Sequence, residues 1–89
     1  MSKLTIELPD GVLDDLGLDA EHALGDMRLA TAMQYYRTGR LHAAAAAEFA
    51  AISLPQFLCR LSEYGIPAID MTDEELAEEL RNAYADAAA

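Results

Sequence analysis

Cysteine occurs once in this chain, as Cys59, and histidine twice, as His22 and His42. A single thiol closes no internal disulfide, and one Cys with two His supplies no soft-ligand set for zinc. The expectation is a reducing, cytoplasmic setting. Long apolar runs are missing too: the longest, Ala43 to Ala47, has five residues, where a membrane span needs about 20. The opening stretch, Met1 to Glu7, lacks the apolar core of a secretory signal. The protein is expected to stay where it is made. Cations are scarce, with six Lys and Arg against sixteen Asp and Glu and a net charge of -10. That balance excludes a phosphate-neutralising protein of the histone or ribosomal kind. No internal repeat is present.

The composition that remains is one that folds, at 53% hydrophobic and 25% charged. Eighty-nine residues make one small domain. A chain of this size buries only about 60–65% of its unfolded surface, so a second copy would help it. Much of the apolar share is alanine, which adds helix propensity and little buried area.

The charge is segregated. Residues 1–26 hold Lys3 against seven acids, and residues 66–89 hold Arg81 against seven more. Between them, residues 27–65 hold Arg28, Arg37, Arg40 and Arg60 against Glu48 and Glu63. A mildly basic middle therefore sits between two acidic ends.

Lys3 to Leu8 alternates, with Leu4, Ile6 and Leu8 on one side, which predicts a short N-terminal strand. Pro9-Asp10-Gly11 ends it in a turn, and one helical turn over Val12 to Leu16 closes at Gly17. Asp19 caps a long helix from Ala20 to Thr38 whose apolar face includes Leu24, Met27, Leu29, Ala32, Met33 and Tyr36. Gly39 stops it. Leu41 to Phe49 is a second, short helix, its small residues allowing close approach. Ser53 caps a third, Leu54 to Tyr64, with Pro55 in its first turn and Phe57, Leu58, Leu61 and Tyr64 turned inward. Gln56, Cys59, Arg60 and Glu63 are left outward. Two short helices joined by a tight turn form the outline of a helix-turn-helix. Gly65-Ile66-Pro67 breaks the chain, and Ala68-Ile69-Asp70 is a candidate second short strand. Thr72-x-x-Glu75 is a capping box that opens an acidic C-terminal helix with a narrow stripe of Leu76, Leu80 and Tyr84. Ala85 to Ala89 is expected to fray. The fold expected is mainly α: a strand plus helix-turn-helix domain over 1–70, and an acidic helix with a frayed tail over 71–89.

Several of these residues carry a resemblance. Leu29-Ala30, Tyr36, Gly39-Arg40-Leu41, the run AAEFAAIS ending at Ser53, Phe57-Leu58, Leu61 and Gly65-Ile66-Pro67 resemble a small prokaryotic family. It is the uncharacterised protein family one-seventy-five, whose members are predicted helix-turn-helix antitoxins. The opening LTIELP and the closing DEELAEEL fit its pattern, and the resemblance covers about residues 4 to 80. Two positions depart from it: Ala51 stands where the family has Gly in the turn, and His42 where it favours Ser as a cap. The resemblance implies a type II toxin-antitoxin pair, with a PIN-type ribonuclease as the toxin and operator DNA as a second partner.

The outward residues early on the second helix of a helix-turn-helix read base edges, and nearby polar or cationic groups hold phosphates. Gln56 and Arg60 are the candidates for bases, and Arg37, Arg40 and Ser53 for the backbone. In the acidic helix, Leu76, Leu80 and Tyr84 could anchor in a partner's groove, with Arg81 reaching catalytic carboxylates. The exposed N-terminal strand would pair with its copy in a homodimer. The bland alternative is a protein-interaction or dimerisation module that keeps the helix-turn-helix shape without DNA binding. His22 and His42 lack a matching carboxylate set, and Cys59 beside Arg60 lacks a base and an orienting group. The chain therefore reads as neither enzyme nor metalloprotein, and it implies no cofactor.

Overall fold

The computed structural model describes residues 2–88, with α1 over Val12–Leu16, α2 over Ala20–Arg37, α3 over Ala43–Ala50, α4 over Leu54–Glu63 and α5 over Asp73–Ala88. Local capping chemistry sets most of these boundaries. The Asp19 side chain accepts from the His22 backbone N–H at 2.9 Å and starts α2. Those bonds from His22 hold the Asp19 carboxyl below its ordinary range. His42 takes the capping position of α3, its ring Nδ1 accepting from the Ala45 N–H at 3.3 Å. It fills the role that the family pattern gives to Ser. Ser53 and Gln56 close a reciprocal capping box on α4, and Thr72 and Glu75 another where α5 begins.

The core lies among α2, α3 and α4. Ala43, Ala46, Ala47 and Ala50 are buried at spacings of three and four, so one face of α3 is a stripe of methyl groups that its neighbours approach closely. Tyr36 of α2 and Phe57 of α4 are fully buried and meet edge to face, with ring centroids 5.8 Å apart. Met33, Leu58 and Leu61 complete the packing.

The expected strands do not form. Among the described residues no strand is present, and residues 2–8 make no backbone hydrogen bond. Alternation identifies a segment with two different faces, but a strand also needs a neighbour to complete its ladder, and this chain offers none. The alternation did report side-chain direction: Leu4, Ile6 and Leu8 line one common groove. The second candidate strand is a turn. Its Ile69 N–H donates to the Tyr36 hydroxyl at 2.7 Å instead of to a strand neighbour.

Three smaller corrections follow. Tyr64 lies exposed beyond the end of α4 rather than inward, because that helix stops at Glu63. Cys59 is half-buried rather than outward. The expected fraying from Ala85 gives way to a helix that continues to Ala88, while Ala89 lies outside the described residues.

Ala51 is the one described residue other than glycine with a positive φ, at 60°. It closes α3 in the left-handed conformation, where its Cβ crowds the following carbonyl. Glycine removes that crowding and gives back part of the gain through a freer unfolded chain. Ala51→Gly is expected to raise stability by about 1 kcal/mol, a rise in Tm of roughly 4–8 °C by scanning calorimetry.

Candidate nucleic-acid interface

Helices α3 and α4, joined through Ala51, Ile52 and Ser53, are the pair that the sequence outlines as a helix-turn-helix. The turn is held from within: the Ala51 N–H donates to the Glu48 carbonyl, and the Ile52 N–H reaches back to Ala47 at 3.1 Å. Phe57, Leu58 and Leu61 bury one side of α4, which leaves Gln56 and Arg60 on the exposed side. Both are already engaged. The Gln56 Oε1 accepts from the Ser53 N–H at 3.2 Å, so a bidentate contact to adenine would require the amide to leave its capping box. One Arg60 nitrogen donates to both carboxylate oxygens of Glu63, at 3.1 and 3.0 Å. An exposed pair of this kind contributes at most about 1 kcal/mol, so a phosphate displaces it at low cost.

Arg37 and Arg40 sit at the corner between α2 and α3. Arg37 is exposed and donates to the Gln34 Oε1, and the Arg40 guanidinium lies 4.7 Å from the centre of the Tyr35 ring. No hydrogen bond joins this corner to Ser53, Gln56 or Arg60 among the described residues. Arg28, the fourth cation of the basic middle, has a structural task. Its Nε donates to the Phe49 carbonyl at 2.8 Å, satisfying an end of α3 that lacks a helical partner.

Sequence reasoning missed a residue that anchors the first turn of α3. Asp70, which follows α4, accepts from the Tyr36 hydroxyl at 2.7 Å through Oδ1 and from the Ala43 N–H at 2.8 Å through Oδ2. One carboxylate thus ties α2, the first turn of α3 and the approach to α5. Burial pushes the Asp70 carboxyl up, but the bonds from Ala43 and Tyr36 outweigh it and leave it below the ordinary range. Burial and then the Asp70 contact raise the Tyr36 phenol. The only hint in the sequence was an acid close to a helix start, which many exposed acids share.

The four proposed partner-binding residues divide. Leu76 and Leu80 pack on their own core and line a cleft of about 270 Å³ with Leu58, Leu61 and Ile66 of the preceding elements. Arg81 is exposed, and Tyr84 is 75% exposed. Of the stripe, Tyr84 alone is exposed to meet another molecule.

No helix among the described residues is long and apolar enough to cross a membrane. An all-helical fold in which α3 and α4 are joined by a tight turn is the class these features define. The chain belongs to an uncharacterised protein family, UPF0175, whose sequence pattern matches residues 1–85. No curated protein and no solved structure matches it significantly.

Proposed function

We propose that this protein is a cytoplasmic regulator of the antitoxin kind, binding operator DNA through α3 and α4 and restraining a PIN-type ribonuclease through α5. The observation that carries the first half is the build of α4. It is a capped helix after a left-handed turn, with an apolar side fixed in the core and Gln56 and Arg60 on the side that solvent reaches. Arg37 and Arg40 at the neighbouring corner supply cations for phosphates. The second half draws on the family resemblance and on the acidic face of α5, with Tyr84 and Arg81 as its accessible contacts.

A mobility-shift titration with duplex DNA from upstream of the gene tests the DNA half. The full chain is expected to shift the duplex, with Arg60→Ala and Gln56→Ala each weakening the shift by roughly tenfold. Shifts indifferent to both changes would remove the site assignment. For the other half, ribonuclease activity of a co-expressed PIN-type protein is expected to be suppressed by the full chain and restored by Tyr84→Ala with Arg81→Ala. Both side chains lie outside the core, so the double variant keeps the fold.

A second reading has its own support. Gln56 holds its capping box, Arg60 is paired with Glu63, and the chain carries a net charge of -10. A protein-interaction module that keeps this helix pair without binding DNA would show the same features. Absence of any shift at about 50 mM salt, where phosphate contacts are strongest, selects it.

A further inference from the structure

A broad concave surface lies away from α4. It is a groove of about 440 Å³ between the N-terminal segment and one side of α2, with Phe49 of α3 in its lining. Leu4 is 84% exposed, Ile6 66%, Leu24 61% and Phe49 40%. These are four of the eight exposed large apolar residues, gathered on one face. A monomer rarely leaves so continuous an apolar patch in water.

We infer that a second copy of this chain covers this groove, the Leu4–Ile6 edge of each protomer packing against Leu24 and Phe49 of the other. Three observations select that occupant. One chain carries both an exposed apolar edge, Leu4 and Ile6, and the hollow beside it, the two halves that a two-fold interface requires. Its charge permits the pairing despite a net -10, since Arg28 is the single charged residue of the lining and its guanidinium donates to the Phe49 carbonyl. The groove lining itself therefore brings no acid to the contact.

The area agrees. The solvent-accessible surface is 6690 Å², against about 5,100 Å² for a compact monomer of this mass. The radius of gyration is 14.4 Å, against about 12 Å expected for 89 residues. The surplus of about 1,600 Å² is spread over the whole molecule, so association has exposed surface to remove. Part of it is the outer face of α5, which is lined by carboxylates; the groove is the part that apolar burial can remove.

The core-facing side of α2, with Ala32, Met33 and Tyr36, packs on α3 and α4. Dimerisation through the opposite side leaves α4 uncovered, and the inference holds whether or not α4 binds DNA.

Sedimentation equilibrium of the full chain without DNA is the test. The expected mass is twice the 9.6 kDa of one protomer. Leu24→Lys and Ile6→Lys are each expected to weaken the dimer by roughly tenfold or more, since each places a charge in the apolar contact. Ala30→Lys, on an exposed part of α2 outside the groove, is expected to leave it unchanged. Circular dichroism checks that the variants keep their helices. A wild-type mass of one protomer would overturn the inference, as would a dimer indifferent to both groove substitutions. A single protomer that binds anilinonaphthalene sulfonate in the groove would overturn it in favour of a small apolar ligand. A monomer that still shifts duplex DNA would remove the inference and leave the DNA reading in place.

Discussion

Asp70→Ala is expected to lower the stability of the fold by about 2–3 kcal/mol, a fall in Tm of roughly 10–20 °C. The carboxylate serves two donors at once: the hydroxyl of the fully buried Tyr36 at 2.7 Å and the Ala43 N–H at 2.8 Å. A hydrogen bond to a charged acceptor contributes about 1.5–3 kcal/mol, and the partly solvated setting of Asp70 puts the pair near the lower end. Asp70→Asn separates charge from shape. Its amide oxygen can serve one donor, while its NH₂ group opposes the other.

The same bonds make this contribution depend on acid. The folded carboxyl titrates below its ordinary value, so its stabilisation is complete above about pH 4 and is lost as pH falls further through the folded-state pKa. Asp19 and Glu75 are lowered as well, through their capping bonds, and they add to the acid sensitivity of the whole chain. The difference between wild type and Asp70→Asn isolates the one group. Melting temperatures between about pH 3 and pH 7 are expected to converge at the acid end. Parallel curves would assign the carboxylate no linked role.

Phe57→Ala is expected to cost about 3–5 kcal/mol. The ring is wholly buried and stands edge to face on Tyr36, which in turn bonds Asp70 and Ile69. Its removal leaves a cavity facing the alanine stripe of α3, whose methyl groups are too short to fill it. A domain of this length has a total stability of about 4–13 kcal/mol, so the loss is a large share of the whole. Denaturant melts are expected to show a lowered midpoint with an unchanged slope. Phe57→Leu, which keeps most of the volume, is expected to lose about half as much or less.

Much of the architecture was legible because it rests on local chemistry. Asp19, the Ser53–Gln56 pair, the Thr72–Glu75 pair and Gly39 mark helix ends within a few residues of themselves, and the structure puts boundaries there. The alanine run read correctly as a packing element because its small side chains let neighbouring helices approach closely. Distant contacts left no such trace. Asp70 meets Tyr36 and Ala43 across 34 and 27 intervening steps of chain, and no periodic pattern reports an acid's far partner. Arg28 was counted among the cations of the basic middle, while its bond to Phe49 depends on how α2 crosses α3. The N-terminal alternation misled in one respect only. It gave the direction of Leu4, Ile6 and Leu8 correctly and supplied no neighbour with which to build a sheet.

For the candidate interface the outward positions of Gln56 and Arg60 followed from helical spacing. Their present engagements, with Ser53 and Glu63, involve residues three positions away whose charge and capping roles compete with DNA for the same atoms. In α5 the spacing placed Leu76, Leu80 and Tyr84 on one stripe, but only packing shows that the first two serve the chain's own core.

The central claim is that the helix pair and its neighbouring arginines hold DNA. Fluorescence anisotropy of a labelled upstream duplex, titrated with the full chain from about 50 to 200 mM salt, tests it most directly. Phosphate contacts from Arg37 and Arg40, with the Arg60 guanidinium in the groove as a third cation, predict a log–log salt slope of about −2 to −3 per protomer. The triple exchange of those arginines for Gln is predicted to flatten the slope towards zero. No binding at the lowest salt, or a slope that the triple variant leaves unchanged, would contradict the account.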